Sequence, residues 1–426
     1  MHARFSSGLR VYTVGLLTFI WTANYLDRQI LAILLESIKL EMSLSDTQLG
    51  LLSGLAFSLF YATLGLPIAY LADRYNRKRI IIAALVLFSS MTYACGLAQN
   101  YFQLLLARIG VGVGEAGTNP PSVAIIADFY EPDARATPMA IFAVGVNIGI
   151  FVAFFFGGWL AMNYGWRTTF QIVAVPGLLL AVLAAFTLRE PPRGLSDGVS
   201  QSEPAPSLLA VARYMLASPV IRHMVFATTL VIAVTYGAIT WIPAYLIRVH
   251  AMDTVTVGKA LALIAGLGGG LATAACGILA DRLGKRDMRW NLWLVAMIAA
   301  FATPFFLATF NASGGFWAIV FMVPSISLAA VYLGPVLAML QAQVQPGMRA
   351  QATALMIFVN NFIGLGLGPL AVGVLSDKLA AEYGARSLAI ALTLLSLLSF
   401  WAAFHYLISA RRLGDTTLAG ESSPLA

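Results

Sequence analysis

The chain predicts an all-α membrane protein: twelve transmembrane helices in two six-helix bundles, with both termini in the cytoplasm. Its composition, the spacing of its apolar runs and an internal repeat carry that prediction. Of 426 residues, 59% are hydrophobic and 11% charged, against about a quarter charged in soluble domains. Mean hydropathy is +0.82, so a water-soluble fold of this size would lack polar surface to cover itself. The net charge of +7 would suit nucleic acid only if it clustered on one soluble face. Lys and Arg instead occupy the breaks between apolar runs, which argues against a nucleic-acid partner and marks membrane topology.

The hydrocarbon core of a bilayer, roughly 30 Å thick, needs about 20 helical residues to cross. Spans are expected near 11–36, 48–72, 79–98, 101–127, 136–161 and 167–188, then near 220–247, 257–281, 290–310, 315–343, 350–377 and 386–409. The basic Met1–Arg10 precedes an apolar run too long, and too charged, for a cleavable signal, so that run is the first membrane helix. Residues 1–188 form the N-terminal bundle and 220–412 the C-terminal one. Between them, 189–219 reads as a cytoplasmic linker, with Arg189-Glu-Pro-Pro-Arg-Gly194, a polar Ser200–Ser207 run and an amphipathic Leu208–Ala217. The end, 413–426, reads as a disordered cytoplasmic tail. Eighteen of the 26 Lys and Arg lie on the side shared by the termini and the linker; six lie opposite and two within spans. Positive charge stays inside, which places both termini in the cytoplasm of a cell whose inner membrane holds the chain. Cys95 and Cys276 fall inside spans and read as small buried hydrophobes rather than a disulfide.

The two halves repeat one another. Ala69-Tyr-Leu-Ala-Asp73-Arg74-Tyr-Asn76-Arg77-Lys78 after span 2 returns, 208 residues on, as Gly277-Ile-Leu-Ala-Asp281-Arg282-Leu-Gly284-Lys285-Arg286 after span 8. Arg135 with Asn147 twelve residues later recurs as Arg349 with Asn361, and Tyr164-Gly-Trp-Arg167 as Tyr383-Gly-Ala-Arg386. Landmarks kept in order imply duplication. The two short loops resemble the cytoplasmic loop motif of the major facilitator superfamily, although the first has Ala69 and Asn76 where that motif has glycines. A tight turn is expected at Gly284, and at Asn76, a residue type that tolerates positive φ. Asp73, Arg74, Arg77, Asp281, Arg282 and Arg286 are expected to form a cytoplasmic latch that a conformational change must break.

An ionisable side chain within the membrane is costly and marks function. The first half has four: Asp27 and Arg28 in span 1, Arg108 and Glu115 in span 4. Neighbouring helical positions point apart, so Asp27 and Arg28 need different partners. Arg108 and Glu115 share a face about 10 Å apart in height. Antiparallel paths then predict an Asp27–Arg108 contact, with Arg28 reaching inward to Glu115. Such carboxylates suit a proton relay, because burial and a nearby guanidinium act oppositely on a carboxyl and a conformational change can trade one for the other. Static pairing of spans 1 and 4, or solute binding by an arginine, are the other readings. Asn24, Asn147, Tyr236, Trp241, Tyr332, Asn360 and Asn361 are candidates to line the solute cavity, core packing being the alternative for each.

Asn24–Arg28, the Asp73–Lys78 loop, Arg108–Gly117 and the following Ile125-Ile-Ala-Asp-Phe-Tyr130 resemble the spinster family over roughly the first 190 residues. The resemblance implies movement of a sphingolipid or lysophospholipid by alternating access, with functional roles for Asp27, Arg28 and Glu115; the short loops and termini suggest a bacterial member. Anion–cation symporters share a similar Asn-Tyr-Leu-Asp-Arg and Glu-Ala element, and imply proton-coupled uptake of organic acids; a drug exporter of the superfamily is a further alternative. A channel or receptor would not carry the duplicated loops. No metal ligands, cofactor motif or nucleophile constellation stands out, so neither enzyme nor cofactor is expected. Partners are the membrane lipid, protons and a small-molecule or lysolipid solute, for a monomer. Asn311-Ala-Ser313 is a formal glycosylation sequon, read as coincidence.

Overall fold

The computed structural model describes residues 5–131, 134–192, 207–329 and 331–421, without the side chains of Leu66, Asp73, Pro346 and 414–421. The linker segment 193–206, with most of its polar run, lies outside the described residues. Among the described residues the chain is all helix. Two compact units emerge: Met1–Gln201 with Thr240–Leu267, and Ser202–Ile239 with Gly268–Ala426.

In the first unit α1 (Ser7–Met42) starts where the Ser6 hydroxyl accepts from the Leu9 N–H, and stops at Ser43, whose φ of 52° turns the chain left-handed. A capping box of Ser45 and Gln48 opens α2 (Asp46–Gly50), which passes through a π-helical turn, Leu51–Leu55, into α3 (Ala56–Arg74). Asn76 is not at positive φ. At φ −61° its side chain caps α4 (Arg77–Leu97) by accepting from the Arg79 N–H, so the short polar residue serves as a helix start rather than a turn. Gly284 likewise keeps negative φ, as the last residue of its helix.

The expected span 101–127 is two helices, α5 (Tyr101–Glu115) and α6 (Asn119–Phe129), with Pro120 and Pro121 in the first turn of α6. Proline has no N–H to give and fits a first turn, so a new helix begins where a continuous one would be broken. One long run, α7 (Ala136–Thr187), is interrupted at Gly165, whose φ of 75° reverses the chain at no Cβ cost. Helix α1 packs along α7, and α4 lies against α5 and α7. The approach is close: a Cβ on Gly149 would stand 2.6 Å from the Thr22 carbonyl oxygen and 2.7 Å from the Tyr25 Cβ. Gly149→Ala should therefore cost about 1–3 kcal/mol, seen as a lower thermal midpoint in detergent. An unchanged midpoint would mean that α1 and α7 separate freely.

Helix α9 (Pro219–His250) begins in the second unit and ends in the first. The Asp253 carboxylate accepts from the Thr256 N–H at 2.9 Å and starts α10 (Thr254–Leu261). Those bonds to Thr256 hold the exposed Asp253 carboxyl below its ordinary range.

The second unit contains α8 (Leu208–Ala217), the first part of α9, α11 (Gly269–Gly284), α12 (Trp290–Phe310), α13 (Gly315–Ala329), α14 (Leu333–Gln343), α15 (Arg349–Val359), α16 (Gly366–Tyr383), α17 (Ser387–Ser396) and α18 (Leu398–Glu421). The expected amphipathic linker segment is α8. The expected disordered tail is helical backbone up to Glu421; 422–426 lie outside the described residues. Met215, Ile221, Met224, Leu340, Met356 and Tyr406 belong to its core. Eight described helical runs are long and apolar enough to cross a membrane. Large apolar side chains point outward, Phe186 at 85% and Phe102 at 72% exposure, as expected when lipid is the surrounding solvent.

Candidate transport site in the first unit

The four intramembrane charges converge on the α1–α5 contact. Glu115 is the last residue of α5, where unsatisfied carbonyls make a carboxylate unfavourable. Arg28 answers that charge: its Nη2 and Nε donate to the Glu115 Oε2 at 2.7 and 3.1 Å. Both side chains are buried, at 7% and 0% exposure. The guanidinium also lies 4.8 Å from the Tyr25 ring, 4.9 Å from Phe57 and 4.6 Å from Tyr61, a cage that favours a cation where water is scarce. Its Nη2 approaches the Asn24 Oδ1 at 3.5 Å. The Asn24 amide donates to the Thr118 hydroxyl, which donates to the Glu115 carbonyl. Glu115 Oε1 has no hydrogen-bond partner among the described residues.

The expected Asp27–Arg108 contact forms through the backbone rather than as an ion pair. The Arg108 Nη1 reaches the Asp27 backbone carbonyl at 3.5 Å, and the Asp27 carboxylate accepts instead from the Thr92 hydroxyl at 2.9 Å. Thr92 lies on α4, so the pairing of α1 with α5 alone omitted the helix that supplies the partner. Arg108 is 1% exposed, over the Phe57 ring at 5.5 Å, and its Nε is unpartnered.

The remaining candidates scatter. Asn147 is half-buried on α7, and Trp241 is fully buried on α9. In the second unit Asn360 is buried and accepts from the Thr229 hydroxyl at 2.9 Å, while Tyr236, Tyr332 and Asn361 are half-buried. Of the expected latch, Arg77 is engaged: its Nη1 meets the Asp128 carboxylate at 2.6 Å, its Nε lies 3.7 Å from Glu190, and its backbone N–H donates to Glu190. Arg74 instead stacks on Tyr70 at 4.1 Å, and the Asp73 side chain is outside the described residues. Asp281, Arg282 and Arg286 are exposed and make no ion pair among the described residues; solvated charges gain little by pairing.

Two clusters were not foreseen. Arg248 pairs with Glu36 at 2.8 Å and Asp46 at 2.7 Å, and Lys39 joins Asp46 at 2.5 Å. His223 and His405 stack with Nδ1 atoms 2.8 Å apart. No group of three or more His, Cys, Asp and Glu among the described residues is placed to hold a metal ion.

The sequence pattern of the Major Facilitator Superfamily matches residues 17–369. The chain belongs to that superfamily, a family of membrane transporters. It is 34% identical over 409 residues to an MFS-type efflux pump of Mycolicibacterium smegmatis, covering 94% of this chain and 93% of the pump. It is 28% identical over 401 residues to protein spinster homolog 1 of Bos taurus, covering 89% of this chain and 75% of the relative. In structure it resembles a bacterial homolog of the human lysosomal transporter Spinster in an inward-facing, unoccupied conformation. The TM-score is 0.84 at 30% identity, over 96% of this chain and 98% of the other.

Proposed function

We propose that the chain is a proton-coupled secondary transporter that moves a lipid-like amphiphile of the lysophospholipid or sphingolipid type by alternating access. It works as a monomer in the inner membrane, with twelve spans and both termini cytoplasmic. Twelve are supported by counting the 52-residue run twice across Gly165 and the 65-residue run twice across Gly384. The α1 helix and the α5–α6 pair supply the other two. The bundles are 1–188 and 220–412, with the linker 189–219 and the tail 413–426 on the positive side.

The Arg28–Glu115 pair carries the coupling. A proton on Glu115 removes the charge that holds Arg28, and Asp27 on the same helix is a second buried carboxylate within the cluster. Because α1 carries Asp27 and Arg28 while α5 carries Glu115, exchanging proton for guanidinium changes how those helices hold each other.

The spinster likeness supports the amphiphile. So does the occupation of the arginines: a small carboxylate solute needs a guanidinium free in the cavity, whereas Arg28 is paired and Arg108 is 1% exposed. Export of a drug-like amphiphile is the second reading, favoured by the 34% identity to an efflux pump. Proteoliposomes with an imposed proton gradient separate these, comparing a lysophospholipid, a lipophilic cationic dye and small organic acids. Transport of the lysophospholipid is expected. Accumulation of the acids alone, or of the dye alone, would overturn the lipid reading.

A further inference from the structure

Outside the charged site, the second unit contains a cavity of about 510 Å³ between α8, the start of α9 and α15. For scale, a sealed apolar cavity of about 150 Å³ takes up benzene; this one is open on one side. Ala212 and Leu216 of α8, Val225 and Phe226 of α9, and Leu355 and Val359 of α15 line it. Two polar residues also reach it, Arg222 and Thr229. The Thr229 hydroxyl is committed to the Val225 carbonyl and to Asn360, both at 2.9 Å, so the wall there offers no free donor. Arg222 is exposed and has no ion-pair partner among the described residues. The cavity thus joins an apolar interior to one unneutralised guanidinium.

Helix α8 shows what surrounds the mouth. It packs through Val211 and Met215 into the core, and the Tyr214 hydroxyl ties it to the Gln343 carbonyl at 2.9 Å. Yet Leu208 and Leu209, which do not line the cavity, are 44% and 61% exposed. A helix with apolar side chains on its outer face, next to membrane-crossing helices, lies in the lipid interface. The molecules at hand there are phospholipids, and a guanidinium selects the phosphate of those with net negative charge.

We propose that this cavity binds one acyl chain of an anionic membrane phospholipid, with Arg222 holding its phosphate and α8 covering the chain. The bound lipid is a structural ligand of the second unit, separate from the transported solute. Native mass spectrometry of the delipidated full-length protein tests it, with phosphatidylglycerol and phosphatidylcholine of identical chains as probes. One phosphatidylglycerol per chain should be retained, about tenfold more tightly than phosphatidylcholine. Arg222→Gln should bring the two to equality. Ala212→Trp, which fills the cavity from α8, should abolish retention of both; should that chain fail to fold, Val359→Phe fills it from α15 with the same expected result. Equal retention of the two lipids by the unaltered protein, or retention unchanged by filling the cavity, overturns the proposal. Competitive displacement by a transported lysophospholipid also overturns it, because the cavity would then be part of the transport path.

Discussion

Glu115→Gln in proteoliposomes should lower solute accumulation driven by a proton gradient at least about tenfold while downhill exchange of the same solute continues. Glutamine keeps the shape and can still accept from Arg28, but it neither binds a proton reversibly nor carries charge. Arg28 is then a buried guanidinium stripped of its carboxylate, a change that costs about 3–5 kcal/mol when a partner is removed outright. The three rings around it, at 4.6 to 4.9 Å, return part of that loss, so the thermal midpoint should fall while the protein still folds. Asp27→Asn should reduce driven accumulation without that loss of stability, because its carboxylate accepts from a neutral hydroxyl, Thr92, and Arg108 reaches only its backbone carbonyl. Exchange measured beside accumulation separates coupling from folding. If both variants still accumulate solute against its gradient, the pair is a static brace between α1 and α5.

The charges inside apolar runs were legible because they break the pattern around them: Arg28 and Glu115 each stand among residues that lipid would choose. Helical spacing then sufficed to bring those two together. The same spacing brought Arg108 to the Asp27 backbone but not to its carboxylate, since no periodicity shows that the Thr92 hydroxyl, one polar group among many on α4, lies opposite. Asn76 misled for a related reason. The same short polar side chain suits a left-handed turn and a helix cap, and the Arg79 N–H decides between them. The break after Glu115 was written in the sequence as Asn119-Pro-Pro, yet hydropathy alone runs through it. Least legible was Arg248. It sits at the end of an apolar run, where a charge needs no explanation; Glu36 likewise closes the expected span 11–36, and Asp46 opens α2.

Arg248→Met should be the most destabilising single substitution in that cluster. Glu36 and Asp46 keep 11% and 3% side-chain exposure, so without the guanidinium Glu36 is a nearly buried carboxylate that has lost its ion pair, and Asp46 keeps its pair with Lys39. Breaking such a pair from one side costs about 3–5 kcal/mol. Arg248→Lys should recover little, since one ammonium cannot reproduce two forked contacts at 2.7 and 2.8 Å. The triple change Glu36→Gln, Asp46→Asn, Arg248→Met should recover most of the loss, because the one charge then left without a partner is Lys39, which keeps 26% side-chain exposure to water. Thermal midpoints of the three variants in detergent give the comparison. Hydrogen exchange gives the location: Arg248 ties the end of α9, and through it α10, to α1 and α2, so amides of 245–261 should exchange faster in Arg248→Met and regain protection in the triple variant. Alternating access requires helix contacts that hold in one state and part in another, and a charge cluster whose members become hydrated on parting lowers the cost of doing so. A single variant as stable as the unaltered chain, or a triple variant no better than the single one, would show that packing along α7 holds this segment and that the ion pairs add nothing to it.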